Sequence, residues 1–527
     1  MSESPVTEQA HPTAEGGDDD GKSTRSGGKS QTGSKPPSRA GSAQSNKSGM
    51  GGSTKKADTV PPSPAGSAKD NPAADWRTMR RIIAEDPEWS LATVPLLVDL
   101  CIDHMVANFE FNSSILNKLL LKHKVKVLEK ISTEIPLKIT ANLVEDEGYW
   151  KRCCKTRWEI CDVTAYCNCW KRMYFERNLQ DIIENFVPET TDLARLNETL
   201  PLSADYVKKL DIRQLLPPIR EAPKGPDFDD ASDAGSDAGD EPECDHFNFG
   251  PVLKMLPHLE ELRLTYAVRD CGMNFEWNLF QFTARDCLQL AQCVAACKTL
   301  KVFQLHRSKV DDDKLRVLIC HILDHPGLIE LDLSHNIIGD RGARAVGKFL
   351  NNHSQLVKLS LCDNAVKSAG AQAIAHALTK NTILQVLNLR LNRLGEEGGQ
   401  AICKALLKNS TLKEINLGSN ALAESTAAML SQVVTQNTTV KCIDLSCNRL
   451  GPDGGKQLQE GMEENKTIVQ MDLRLTECGQ ESEYCINQIL HSNQEKEREN
   501  QQSEHSMIHR KTQPQAAHRF KPKSHKA

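Results

Sequence analysis

The sequence predicts an α/β chain: a horseshoe-shaped solenoid of short strands and helices, preceded by a mainly helical domain, with disordered tails at both ends. Three observations predict it. A leucine pattern returns every 28 residues from Leu300 onward. The segment before it carries apolar residues at helical spacing, the first 75 residues lack the large apolar residues a core requires, and the chain is polar again after about Ser492. At 527 residues the chain is far longer than one domain of ~150 residues, so several modules with linkers are expected. Its 65 Lys and Arg against 70 Asp and Glu give a net charge of -5, which excludes a generally basic nucleic-acid binder but not local basic patches.

Residues 1–75 contain no Leu, Ile, Phe, Tyr or Trp. Such a segment cannot bury enough apolar surface to offset its chain entropy, so a disordered tail is expected. Acids come first, at Glu3, Glu8, Glu15 and Asp18 to Asp20; from Gly21 to Lys56 every charged residue is basic. This basic stretch reads as a solvated tail, or as a tether to an acidic polymer, either tubulin tails or nucleic acid. Nothing at the N-terminus has the basic and apolar regions of a secretory signal. No apolar run reaches the ~18 residues of a membrane span. With no secretory signal, the 18 cysteines read as reduced thiols.

Residues 76–220 read as the mainly helical domain. Ile115, Leu116, Leu119, Leu120, Val127, Leu128 and Ile131 recur at three-to-four spacing, as on an amphipathic helix. Trp150, Cys154, Trp158, Cys161 and Ala165 step by four, four, three and four, which predicts one apolar helix face. Residues 221–246 follow as an acidic linker. Between Glu221 and Asp245 stand ten acids and one base, Lys224, a composition that repels itself and extends.

The repeat domain is assigned to residues 247–491. The pattern is L-x-x-L-x-L-x-x-N-x-L. Its first position falls at Leu300, Leu328, Leu356, Leu384, Leu412, Val440 and Ile468. A degenerate start, Leu259, Leu262 and Leu264, lies 41 residues upstream. The ninth position reads Ser308, Asn336, Asn364, Asn392, Asn420, Asn448 and Thr476, with the two mismatches in the end units, where capping repeats are atypical. This unit resembles the leucine-rich repeat in its long, ribonuclease-inhibitor-like form. Leu at positions four and six point inward from a short strand, and the Asn side chain satisfies backbone groups where the chain leaves it. A helix with Gly and Ala at its start, as at Gly339, Gly342, Gly370, Gly395 and Gly398, then returns on the outside. Eight strands at ~4.8 Å give an inner arc of roughly 40 Å. Residues 492–527 are expected to be a basic disordered tail; from His505 on they hold six Lys or Arg and no acid.

The concave face follows from strand alternation. It comprises Val302, Gln304, His306; Glu330, Asp332, Ser334; Lys358, Ser360, Cys362; Val386, Asn388, Arg390; Glu414, Asn416, Gly418; Cys442, Asp444, Ser446; and Gln470, Asp472, Arg474. The candidate protein-binding residues are Gln304, Glu330, Asp332, Lys358, Asn388, Arg390, Glu414, Asn416, Asp444, Asp472 and Arg474. The face is polar and of mixed sign with few aromatics. It does not read as a nucleic-acid groove, which is basic with stacking rings, and it suits a protein partner by charge complementarity.

No catalytic, cofactor or metal site is read from the sequence. Gly16 to Ser23 satisfies the G-x-x-x-x-G-K-[ST] form, yet no strand precedes it, no helix-forming sequence follows, and Asp18 to Asp20 repel phosphate. Cys153, Cys154, Cys161, Cys167 and Cys169 lack the C-x2-C pairs of structural zinc and read as small apolar packing residues. The Asn-x-Ser/Thr triplets at Asn409, Asn437 and Asn465 fall at unit boundaries and read as turn chemistry. Ser232 and Ser236 stand in an acidic context that phosphorylation could use.

The helical segment narrows the reading. Its stretches Asp75-Trp-Arg-Thr-Met-Arg-Arg-Ile-Ile, Trp89-Ser-Leu-Ala-Thr-Val-Pro-Leu-Leu and Tyr149-Trp-Lys-Arg-Cys-Cys-Lys-Thr-Arg-Trp resemble the T-complex-associated testis-expressed 1 family, subunit 5 of the nexin–dynein regulatory complex. The resemblance covers about Asp75 to Leu490. It implies a non-enzymatic scaffold in the cytoskeleton, at the axoneme of cilia and sperm flagella. Such a subunit helps link doublet microtubules and regulate dynein-driven motility. It implies other subunits of that complex as partners, tubulin as a surface for the basic tail, no cofactor, no nucleic acid and no membrane insertion. The competing class is a cytosolic enzyme regulator such as a Ran GTPase-activating protein, whose acidic stretch follows its repeats, whereas here it precedes them.

Overall fold

The structure, a computed structural model, describes residues 79–82, 92–218, 245–269, 271–273, 279, 281–350 and 355–512, with side chains described between 96 and 502. The expected tail 1–75, the nucleotide-loop form at 16–23, most of the acidic linker and the last fifteen residues lie outside them.

The helical domain opens with an antiparallel pair, β1 (Met79–Ile82) and β2 (Ala92–Pro95). Helices α1 (Leu97–Ala107), α2 (Leu121–Lys130), α3 (Leu137–Thr140), α4 (Glu147–Arg157), α5 (Trp170–Glu184) and α6 (Ala194–Ser203) follow. The single amphipathic helix read across residues 115–131 is instead a 3-10 turn, Ser113–Lys118, and then α2, with Leu119 and Leu120 extended between them. The five-residue face read from Trp150 to Ala165 is also shorter. Helix α4 ends at Arg157, and Trp158 is already extended, so Cys161 and Ala165 do not share its face.

Aromatic packing holds this domain. Trp150 is buried, and its indole N–H donates to the Val144 carbonyl at 2.9 Å. Phe175 stacks on Tyr206 with centroids 4.7 Å apart. The ammonium of buried Lys171 lies 4.6 Å from the centre of the Tyr206 ring, an attraction worth more when the cation is desolvated.

Among the described residues the solenoid has nine parallel strands in sequential order: β3 (Lys209–Ile212), β4 (Glu261–Leu264), β5 (Val302–Leu305), β6 (Glu330–Asp332), β7 (Lys358–Ser360), β8 (Val386–Asn388), β9 (Glu414–Asn416), β10 (Cys442–Asp444) and β11 (Gln470–Asp472). The 28-residue spacing sets the register: Leu331 pairs with Leu359, Leu387 with Ile415, and Ile443 with Met471. Helix α7 (Gly250–Met255) precedes β4. Helices α8 (Ala284–Ala296), α9 (Asp312–Ile322), α10 (Asp340–Phe349), α11 (Ser368–Leu378), α12 (Gly395–Leu406), α13 (Glu424–Gln436) and α14 (Gly451–Met462) connect successive strands from β4 to β11. Helix α15 (Gln480–Thr512) closes the stack. This is a leucine-rich-repeat fold. One buried Leu contributes about 1.5–3 kcal/mol, and the inward Leu331, Leu359 and Leu387 are all buried.

Close helix packing requires the small residues. A Cβ on Gly455, in α14, would stand 2.1 Å from the Cys478 carbonyl oxygen of the next unit. On Gly370, in α11, it would stand 2.6 Å from Asp340 Oδ1, the oxygen that accepts the Gly370 N–H.

Two boundaries differ from the sequence reading. Strand β3 belongs to the sheet although it lies upstream of the acidic linker, in the segment assigned to the helical domain. Helix α15 runs to Thr512, past the expected close of the domain near Leu490.

Both end strands are met from outside the sheet, which leaves less of the edge ladder free to pair with other chains. At one end α5 supplies carboxylates to the backbone around β3. Glu176 accepts the N–H groups of Lys208 and Lys209 at 2.9 and 3.1 Å, and Glu184 accepts that of Arg213 at 2.7 Å. At the other end Asn493 and Gln494 of α15 donate to the carbonyls of Ile468 and Val469 beside β11.

Candidate docking face

Two asparagine ladders fix the strands that carry the concave side chains. In the ladder expected at the ninth position, Asn336, Asn364, Asn392, Asn420 and Asn448 are all buried. Each donates to a carbonyl in its own turn and to one 31 residues earlier, Leu305 for Asn336 and Leu417 for Asn448. The residue just before each is in the left-handed region: His335, Asp363, Leu391, Ser419 and Cys447 have φ between 53° and 61°. That conformation is costly for side chains other than Gly and Asn. It persists where the amide of the next residue ties the turn to its neighbour.

The second ladder lies at the opposite ends of the strands. Asn381, Asn409, Asn437 and Asn465 each donate to a carbonyl 31 residues back and accept the N–H groups two and three residues ahead. Three of these are the Asn-x-Ser/Thr triplets. The further members Asn381 and Asn493, and His325, which contacts the Cys297 carbonyl at 2.9 Å, were readable from the same 28-residue step.

On this frame the concave side chains form rows across the sheet. One row runs Val302, Glu330, Lys358, Val386, Glu414, Cys442, Gln470, and the next runs Gln304, Asp332, Ser360, Asn388, Asn416, Asp444, Asp472. Sequence reasoning missed the start of this face. Lys209 and Asp211 of β3, and Glu261 and Arg263 of β4, extend the two rows. The signal was present as Val207, Leu210 and Ile212, all buried at the spacing of the first three pattern positions, but the linker hides the 28-residue step.

The charges are largely neutralised sideways. Glu330 accepts from Gln304 at 3.2 Å and stands 3.7 Å from the Lys358 ammonium. His306 Nε2 lies 2.9 Å from Asp332 Oδ2. Asp444 accepts from Asn416 at 2.7 Å and lies 3.9 Å from Arg390. Arg474 pairs with Asp472. Among the described residues of this face, Glu414 is exposed and makes neither an ion pair nor a side-chain hydrogen bond. Gln304, Ser334, Gly418 and Ser446 are buried, so the accessible surface is narrower than strand alternation alone predicts.

Protonation follows the same contacts. Burial alone would raise the Asp332 carboxyl, but His306 and Ser334 outweigh it and hold it below the usual carboxylate range. Arg474 does the same for Asp472. Burial pushes the Cys362 and Cys442 thiols up, so they stay protonated and poorly nucleophilic at neutral pH. The face can therefore offer hydrogen bonds and fixed charges of both signs to a protein surface.

The cysteines of the helical domain are packed or scattered. Cys153 and Cys154 are buried, and burial raises the Cys154 thiol to about 12. Among the described residues no three His, Cys, Asp or Glu side chains group to hold a metal ion, and no helix is long and apolar enough to cross a membrane.

Comparison with known proteins places these features. The family description "Leucine Rich repeat" matches residues 328–347, 380–403 and 436–458. The chain is 53% identical over 280 residues to a macaque (Macaca fascicularis) protein named dynein regulatory complex subunit 5, covering 53% of this chain and 56% of that protein. It is 55% identical over 273 residues to the mouse protein of the same name, covering 52% and 54%. A Chlamydomonas reinhardtii protein of that name is 32% identical over 222 residues, covering 42% and 50%. The chain thus spans about half the length of the curated relatives it matches.

Proposed function

We propose that this chain is a non-enzymatic structural subunit of the axonemal dynein regulatory complex, helping to link doublet microtubules and to regulate dynein-driven ciliary and flagellar motility. One observation carries the reading: identity above 50% to mammalian proteins named as subunit 5 of that complex, over a span of more than 270 residues. The closer assignment to the T-complex-associated testis-expressed 1 group, and with it a role in sperm flagella, rests on the helical-domain motifs and belongs to the same proposal.

In this reading the concave face, centred on Lys358, Arg390, Glu414 and Asp444, docks other subunits of the complex. Its paired charges support selectivity more than raw affinity. A partner must match both signs, and a mismatched charge leaves an unpaired group behind. The helical domain caps the solenoid through Glu176 and Glu184, so it holds the docking face rigid. The basic stretches near the two ends supply contacts to acidic tubulin surfaces.

The test is purification of the complex from motile cilia through a tag on this chain. Recovery of the other regulatory-complex subunits in fixed proportion is expected. Recovery of a small GTPase without them would replace the scaffold reading with the enzyme-regulator one.

A further inference from the structure

The outer helices of the middle repeats gather lysines at one end. Lys348 is exposed in the last turn of α10 and Lys404 in the last turn of α12. Lys380 and Lys408 are exposed just past the ends of α11 and α12, and Lys413 is exposed on the rim beside β9. None of the five makes an ion pair among the described residues.

The repeat brings them onto one surface. Helices α10, α11 and α12 pack side by side: a Cβ on Gly370 would stand 2.9 Å from that of Ala343, and one on Gly398 would stand 3.0 Å from that of Ala371. One 28-residue step then sets Lys348, His376 and Lys404 in a row, with Lys380 beside Lys408 in the next. The acids of these helices, Asp340, Glu396 and Glu397, stand in the first turns, ~10–12 Å along the axis from the lysines. Asp340 and Glu396 are also engaged there, with the Lys367 N–H and the Thr426 hydroxyl of the following unit.

The fold does not require these charges. A cation near a helix C-terminus is favoured by the carbonyls there. Yet the two positions held by Lys404 and Lys408 read Gln432 and Gln436 one unit later, and Glu460 and Glu464 in the unit after that. The positive charge is therefore confined to the middle of the stack.

A groove of about 390 Å³ continues this surface onto the rim. Thr382, Ser410 and Thr438, each next to an asparagine of the second ladder, line it together with Lys413, and no acid does. All three hydroxyl residues are exposed. Lys441, at the far end of the groove, is already paired with Glu497.

We propose that this rim, from the ends of α10, α11 and α12 to the groove beside β9, binds an extended acidic segment of another protein. Its carboxylates meet the five lysines, and the row of hydroxyls donates to them or to its backbone carbonyls. Nucleic acid fits less well. No Phe, Tyr or Trp is exposed on α10 to α12 or lines the groove, so bases have no ring to stack on. The surface lies outside the concave face and does not rest on the axonemal reading.

The test uses the full chain with a photoreactive benzoylphenylalanine in place of His376, so that binding to the basic stretches near the two ends is not counted. Three labelled probes are offered: a twelve-residue peptide of alternating Glu and Gly, its twin with Gln for Glu, and an oligothymidylate of the same charge as the Glu peptide. The Glu peptide should cross-link at position 376, and its label should fall several-fold between ~50 and ~300 mM salt. Lys348→Glu, Lys380→Glu and Lys404→Glu together should lower the label at least about tenfold, since three contacts change from attraction to repulsion. Gln at the same three positions, which puts no carboxylate at the helix ends, should lower it several-fold with helix content unchanged. The same three-charge reversal at exposed Lys118, Lys122 and Lys138 of the helical domain should leave it unchanged. Equal labelling by the Gln twin, preferential labelling by the oligothymidylate, no loss on reversal of the rim lysines, or cross-links only to this chain's own acidic segment would each overturn the proposal.

Discussion

The Asn392 side chain donates to the carbonyl of Leu361, a full repeat behind it, at 2.8 Å. Its oxygen accepts the N–H of Val366 at 3.1 Å, and its amide also serves Leu389 in its own turn. One buried side chain thus ties two repeats together. Asn392→Leu would keep the volume and strand the Val366 N–H, while the Leu361 and Leu389 carbonyls each lose one donor and keep another, from Asn364 and Asn420. At ~1–3 kcal/mol for an unsatisfied buried group, a loss of about 2 kcal/mol is expected in urea unfolding. Asn185→Leu, at the exposed end of α5, should cost under ~1 kcal/mol by comparison. Equal losses would contradict the role given to the ladder.

Glu176 joins the helical domain to the sheet. Burial raises its carboxyl above the usual range, against the pull of Arg172 and the two backbone N–H groups it accepts. Glu176→Ala leaves those donors and the Arg172 guanidinium without their acceptor, at a cost of about 3 kcal/mol. Hydrogen exchange should show early loss of protection in β3 and α6, with the repeats around β8 to β10 little changed, because stacked units contact only their neighbours. Uniform loss along the chain would contradict the capping arrangement.

Asp332 gives the concave face an acid limb. Its carboxyl is held below its unfolded value, so the stability it adds is present above pH ~4 and is lost as pH falls through the folded value. Asp332→Asn should be less stable than the native chain at pH 6, and its stability should fall less steeply between pH 5 and 3. A parallel pH profile for the two proteins would show that the contacts of Asp332 are not linked to folding.

Arg390 and Glu414 test docking rather than folding. Arg390→Glu with Glu414→Arg conserves net charge but places a carboxylate near Asp444. Thermal stability should change by less than ~1 kcal/mol, since surface pairs contribute little. Capture of the complex subunits should fall at least about tenfold, because juxtaposed like charges oppose docking. Unchanged capture removes the concave face from the scheme.

The sequence made the solenoid legible because a 28-residue step imposes the same chemistry at every turn. Leu331, Leu359 and Leu387 align by count alone. The concave rows follow from the same count, but their pairing does not. That Arg390 leans toward Asp444, or that Gln304 is buried against Glu330, depends on side-chain reach across strands. Strand β3 was hidden because the acidic linker interrupts the period. The helical domain was read least well, since the three-to-four spacing across Leu119 and Leu120 does not reveal that both are extended. Leu120, read on one apolar face with Leu116 and Leu128, is 67% exposed for the same reason.

The most direct measurement is fractionation of motile flagella. Membrane and matrix are removed with detergent, the axonemes are washed with moderate salt, and this chain is followed by immunoblotting in normal flagella and in flagella lacking the regulatory complex. The chain is expected to remain with the microtubule pellet in the first and to be lost from it in the second. Release into the detergent-soluble pool of normal flagella would contradict it.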